Sequence, residues 1–205
     1  MKSIKKGNEL KEFTEWKQKG FTKFKSLRRS KVKAEVKNAL MEEQGYICCY
    51  CEQELIATDS HIEHFLPQDS YPEKALDFSN MLCSCQDQIK KGEPRHCGNL
   101  KDNNEIPISP LDEDCEKFFK YTYDGYIEPV DEKARTTIEK LGLDITKLNA
   151  LRRNAIEPFI DDLLTEDELM EFVSAYLKKV DGKYQPFYTT IKFLFWKNTE
   201  EKKQT

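Results

Sequence analysis

Apolar residues recur at helical spacing in two blocks of the chain and lose that rhythm in the stretch between them. Val32, Val36, Ala39 and Leu40 share one face of a helix predicted over residues 30–44, and Gly45 stands where such a helix would end. A shorter helix is predicted over 9–19. Past the proline-punctuated run Ile106-Pro-Ile-Ser-Pro110, Phe119, Tyr121 and Tyr123 alternate ahead of Asp124-Gly125, which signals a β-hairpin within 118–130. Helices follow over 131–141, closed by Gly142, and from a cap at Asp144 to about residue 157, ahead of Pro158. Another, over 165–179, is opened by the capping box Thr165-Glu-Asp-Glu168, and an apolar helix covers 188–196. Residues 197–205 read as a frayed polar tail. The chain thus divides into N-terminal helices (1–45), an aperiodic segment (46–105) and a hairpin-plus-helix region (106–196). That is the layout of an α+β protein, mainly helical.

Composition narrows the class. With 205 residues, 38% hydrophobic and 34% charged, the chain has the balance of one compact domain with decorations or two small ones, and not of a disordered segment. No stretch approaches the roughly 18 apolar residues of a membrane span, and the basic N-terminus lacks the apolar core of a signal peptide. The expectation is a cytoplasmic protein with no membrane contact, where cysteines serve metals or chemistry more often than disulfides. The net charge of −4 hides an asymmetry: residues 1–40 carry 13 Lys/Arg against four Glu, a net +9, which leaves −13 for the remainder. Lys23, Lys25, Arg28, Arg29, Lys31 and Lys33 lie in a block whose one acidic residue is Glu35, so they are candidates to contact DNA phosphates. A solvated, Lys-rich helix face is the plainer alternative. Lys101 and Arg95 are further phosphate candidates. The acidic run of Asp161, Asp162, Glu166, Asp167, Glu168 and Glu171 would repel DNA and suits a protein-binding or solvent face.

The aperiodic segment holds the chemistry. Six of the seven cysteines and all three histidines lie between Cys48 and Cys97, a crowding that core packing does not call for. Cys48-x2-Cys51 is a knuckle that can aim two sulfurs at one tetrahedral zinc ion. The second pair comes from Cys83, Cys85, His96 and Cys97, with Cys85 and Cys97 favoured. Between the two halves runs His61-Ile-Glu63-His64-x2-Pro67. A neutral histidine suits proton removal from water near pH 7. Glu63 offers a carboxylate, and Asn80, Asn99 and Asn103 offer amide oxygens, of the kind Mg²⁺ or Mn²⁺ prefers. His61, three residues before His64, is read as structural or DNA-contacting, and His96 as a possible hydrogen-bonding neighbour of the zinc ligands. A non-catalytic zinc-knuckle module that docks protein or nucleic acid is the competing reading.

Cys48-x2-Cys51, Glu63-His64-x2-Pro67, Asn80-Met-Leu, and Cys97 with Lys101 four residues on together resemble the HNH (ββα-metal) nuclease pattern. The stretches Glu42–Glu52, Asn80–Cys85 and His96–Gly98 are similar to the HNH subunit of the Septu anti-phage system, relatives of which accompany some retrons. The resemblance covers about residues 35–155. It implies that 46–105 is a zinc-stapled ββα-metal core, with His64 the general base, Asn80 the amide that orients it, and Glu63 a ligand of a catalytic Mg²⁺ or Mn²⁺. The third metal position falls at Gly98, where the family often has His or Asn. Asn99 is the nearest replacement and Asn103 the next. The resemblance further implies DNA as substrate and an ABC-type ATPase as partner.

Overall fold

The helix predicted over 30–44 forms as α3 (Val32–Glu43), with Val36, Leu40 and Met41 buried. It stops at Gly45, whose φ of +62° only glycine adopts cheaply; a Cβ there would also come within 2.4 Å of the Tyr184 ring. Before it lie α1 (Lys11–Gln18), inside the predicted range, and α2 (Phe24–Arg28), which the pattern did not announce. Five residues without a capping side chain leave too little signal for such a turn of helix. The computed structural model describes residues 1–161 and 163–196, so Asp162 of the acidic run and the expected tail at 197–205 lie outside the described residues.

In the aperiodic segment, β1 (Ser60–His64) and β2 (Met81–Cys85) pair antiparallel, with Ser60 opposite Cys85 at one end and His64 opposite Met81 at the other. All of β2 and nearly all of β1 is buried, which removes the in-out alternation by which a strand is usually recognised. Helix α3 packs across both strands, and α1 and α2 pack on α3. The short helix α4 (Gly98–Lys101) follows and leans on α5 (Glu132–Leu141).

The second hairpin is β3 (Phe119–Tyr121) with β4 (Ile127–Pro129), turned at Asp124-Gly125 as expected. Arg152 is buried behind it and donates to the carbonyls of Gly125, at 3.0 Å, and Leu143. Helix α5 starts on Asp131, whose side chain accepts from Ala134 N–H at 2.8 Å, and ends at left-handed Gly142. Helix α6 (Thr146–Ile156) is capped at Ile145, not Asp144; the Asp144 carbonyl instead accepts from the Asn149 amide. Thr165 and Glu168 form the reciprocal capping box that opens α7 (Glu166–Tyr176). The last apolar segment is α8 (Tyr188–Ile191), continued by a π-helical turn through Trp196. Among the described residues no helix is long and apolar enough to cross a membrane. The architecture is α+β and mainly helical, with two small antiparallel sheets.

Candidate functional site

Two groups of side chains meet at opposite ends of the β1–β2 sheet. At the first end, a tight turn returns the chain on itself: Cys48 N–H donates to the Gln53 carbonyl and Glu52 N–H to the Cys48 carbonyl, with Glu52 in the left-handed region at φ 63°. That turn aims the Cys48 and Cys51 sulfurs towards Cys85, at the end of β2, and Cys97, just before α4. The residues between Cys85 and Cys97 close into a loop stapled by Gln86, which donates to the Pro94 carbonyl and accepts from His96 N–H. All four sulfurs are buried and lie within 4.8 Å of one another.

The spacing fits a metal. Zinc–sulfur bonds of about 2.3 Å in a tetrahedron set sulfurs roughly 3.8 Å apart, and Cys51 Sγ lies 3.7 Å from Cys85 Sγ. Donors already point at the sulfurs: Cys85 N–H at Cys48 Sγ (3.4 Å) and the Gln53 amide at Cys51 Sγ (3.3 Å). His96 Nδ1 lies 3.2 Å from Cys97 Sγ, placing the ring beside the cluster as a hydrogen-bonding neighbour. Burial opposes ionisation of Cys48, yet contacts from Cys49, Cys51, Cys85 and Cys97 bring its thiol well below the usual range. The cluster could hold a metal such as zinc. Cys83 stands outside it, fully buried, with its backbone held by the Gln44 amide.

At the other end, β1 puts His61 and Glu63 on one face and His64 on the other, as the two-residue period of a strand requires. His64 is 5% exposed. Its Nε2 lies 3.0 Å from the Ala75 carbonyl, its Nδ1 lies 3.1 Å from the Gln68 amide nitrogen, and the Phe24 ring covers it edge-on. A carbonyl can only accept, so Nε2 carries the proton and Nδ1 keeps a lone pair, held for now by Gln68. Burial pushes the pKa of His64 below its ordinary value of 6.5, against opposing pulls from Ala75 and Glu63. The ring is therefore neutral near pH 7.

Glu63 is held by three partners. Oε1 accepts from Tyr50 OH and from Lys101 Nζ, each at 3.1 Å, and Oε2 lies 3.7 Å from His61 Nε2. Burial would raise its carboxyl pKa, but His61 and Lys101 outweigh it and bring the group below the usual carboxylate value. Lys101 also donates to the His64 carbonyl at 2.8 Å.

No family profile matches the chain. Over 164 residues it is 30% identical to the "Retron Vc95 putative HNH endonuclease" of Vibrio cholerae serotype O1 biovar El Tor, spanning 75% of this chain and 79% of that one. The chain belongs to this HNH endonuclease family. Over 118 residues it is also 31% identical to the Septu protein PtuB of Bacillus thuringiensis, covering 53% of this chain and 41% of that one.

Within this member of the family the remaining expected residues fall in several places. Asn80 is 5% exposed and touches backbone only: Oδ1 accepts from Leu66 N–H, and Nδ2 donates to the Leu66 and Lys74 carbonyls. It closes the loop whose next residue, Ala75, anchors the His64 ring. Asn99 donates to the Gln86 carbonyl and Asn103 to Asp69, so the group set against Glu63 Oε2 is His61 and neither asparagine. Lys101, expected as a phosphate contact, is 0% exposed and committed to Glu63 and His64. Lys23, Lys25, Arg28, Arg29 and Lys31 are exposed and Lys33 half-buried, and none of them forms an ion pair among the described residues. Tyr50, Gln68 and Phe24 went unremarked in the sequence. A buried tyrosine inside the C-x2-C knuckle and a glutamine four residues after His64 were the only traces they left.

Proposed function

We propose that the protein is a metal-dependent HNH endonuclease that hydrolyses DNA, with β1, β2 and α4 forming a ββα-metal core and with zinc at Cys48, Cys51, Cys85 and Cys97 as a closed structural clasp. The observation that carries this reading is the state of His64: a buried, neutral imidazole whose proton sits on Nε2 and whose Nδ1 lone pair faces a side-chain amide, in the place a water would take. That is what a general base needs. His64 Nδ1 takes a proton from water as the water oxygen attacks phosphorus, and the P–O3′ bond breaks with its electron pair leaving on the 3′ oxygen, which takes up a proton from solvent. The products are a 5′-phosphate and a 3′-hydroxyl. A Mg²⁺ or Mn²⁺ ion at Glu63, when bound, would neutralise charge on the scissile phosphate. Asn80 acts as a positioning residue through the loop that ends at Ala75.

Phe24, over the His64 ring, belongs to the same short helix as Lys25 and Arg28. The basic block therefore flanks the base and is suited to guide phosphates towards it. Likeness to the Septu subunit brings with it an ABC-type ATPase partner encoded alongside. Exposed Ile160, Leu163 and Phe172 beside the acidic start of α7, a charge that would repel DNA, offer a surface for it.

The test is plasmid cleavage with Mg²⁺ or Mn²⁺, with and without the neighbouring ATPase. His64→Ala is expected to lower the rate by about 10²–10⁴-fold with zinc content and fold unchanged; wild-type cutting by that variant ends the mechanism. Charge reversal at Lys23, Lys25, Arg28 and Arg29 is expected to weaken DNA binding and flatten its salt dependence. An unchanged slope in a log Kd against log salt plot removes the block from the interface.

A further inference from the structure

On the endonuclease reading just given, the geometry points to His61 as the second protein ligand of the divalent cation at Glu63, in the place expected of Asn99. Three observations converge on it. His61 and Glu63 are two residues apart on β1, and pairing with Ser84 and Leu82 fixes both on one face. Their nearest atoms, Nε2 and Oε2, lie 3.7 Å apart. That is too long for a good hydrogen bond but suited to two donors sharing a cation about 2.1 Å from each.

The third observation concerns Gly98. A Cβ built on it would lie 2.6 Å from Glu63 Oε2 and 2.6 Å from His61 Nε2. Any side chain at residue 98 would therefore collide with both groups, so the position after the last cysteine cannot itself carry a metal donor while Glu63 and His61 stand where they do. Glu63 Oε1 already has Tyr50 and Lys101 as close partners, so Oε2, set 3.7 Å from His61 Nε2, is the oxygen turned to the cation. Asn99 and Asn103 are turned to Gln86 and Asp69. The family position after the last cysteine is therefore not refilled from α4. Its donor comes from the strand, and glycine at 98 spares both side chains a clash.

Two consequences follow from the donor set. An imidazole nitrogen favours Mn²⁺, Co²⁺ or Ni²⁺ over Mg²⁺, which prefers oxygen. Because Lys101 already offsets the Glu63 charge, the cation is held weakly until phosphate oxygens complete its shell.

The experiment is pulsed EPR on zinc-loaded protein titrated with Mn²⁺, reading the nitrogen coupling of a directly bound imidazole. Wild type and His64→Ala should show that coupling, and His61→Asn should lose it. His61→Asn should also weaken Mn²⁺ binding by at least about tenfold and lower the Mn²⁺-to-Mg²⁺ cleavage ratio, with zinc content and circular dichroism unchanged. His61→Gln serves as the second variant should the first lose zinc. Nitrogen coupling that persists in the variant, or Mn²⁺ bound without any, overturns the assignment of His61. Absence of DNA cleavage by wild type with Mg²⁺ or Mn²⁺ and the ATPase present would instead remove the endonuclease reading, whatever the nitrogen signal, so the two failures stay apart.

Discussion

At the Cys85 end of the β1–β2 sheet, four buried sulfurs close around one point. Along β1 towards the His64 end, the Glu63 carboxylate is set between Lys101 of α4 and His61, His64 stands neutral on the opposite face, and His61 keeps partial access to solvent. The first end gathers four donors of one kind, which fill a tetrahedron and leave no coordination position for a substrate. The second balances its charges in pairs and leaves two donors, His61 Nε2 and Glu63 Oε2, short of a close partner. The strand register joins the two ends. With Ser60 fixed opposite Cys85, His64 can only fall opposite Met81, and a one-residue slip would turn Glu63 and His64 to each other's faces. The cysteine end thus aligns what the histidine end uses.

Removing that alignment should have the largest effect. Structural zinc is worth about 10–16 kcal/mol in zinc-finger peptides, so Cys51→Ser or zinc chelation is expected to unfold the segment from Cys48 to Cys97. Far-UV circular dichroism followed alongside zinc release checks this, and a fold that survives chelation would erase the contrast between the two ends. Next is Lys101→Met, which leaves a buried carboxylate without its cation. About 3–5 kcal/mol of stability should be lost, measured by urea denaturation, and Glu63→Gln in the same background should restore part of it.

The smallest expected effect is on proton affinity. His64 works as a base only when neutral, and burial holds its pKa below 6.5. Cleavage should therefore hold at pH 6.5 and fall only as the pH drops through that lowered value. Phe24→Ala admits water to the ring and should move this acid limb up towards 6.5 in a rate–pH profile. Stability shares the sign. A histidine with a lowered folded pKa contributes fully above its unfolded value and loses that contribution as the pH falls from there towards the folded one. Glu63, also lowered, adds a loss that begins further down, from its unfolded value of 4.5.

Legibility in the sequence followed locality. The Asp131 cap, the Thr165–Glu168 box and the Asp124-Gly125 turn could be read because each satisfies backbone groups a few residues away. The C-x2-C knuckle could be read for the same reason. Helix α2 could not, being five residues long without a cap, nor could the pairing of β1 with β2, whose strands bury both faces. Lys101 looked like any surface lysine, because its burial depends on a carboxylate 38 positions earlier in the chain. The kinship of His61 with Glu63 was present in their two-residue spacing. That spacing alone does not single out a metal pair, because His64, three residues from His61, falls on the opposite face of the same strand.

Lys101 carries one more implication, for when each ion enters the life of the protein. Its ammonium keeps Glu63 ionised and bonded whether or not a divalent cation is present, and among the described residues no buried side-chain polar atom lacks a partner. On the reading proposed above, zinc would be needed once, at assembly, whereas the second ion would come and go with each catalytic cycle. On that reading the protein would be stored fully folded yet idle, armed only when metal and phosphate arrive together.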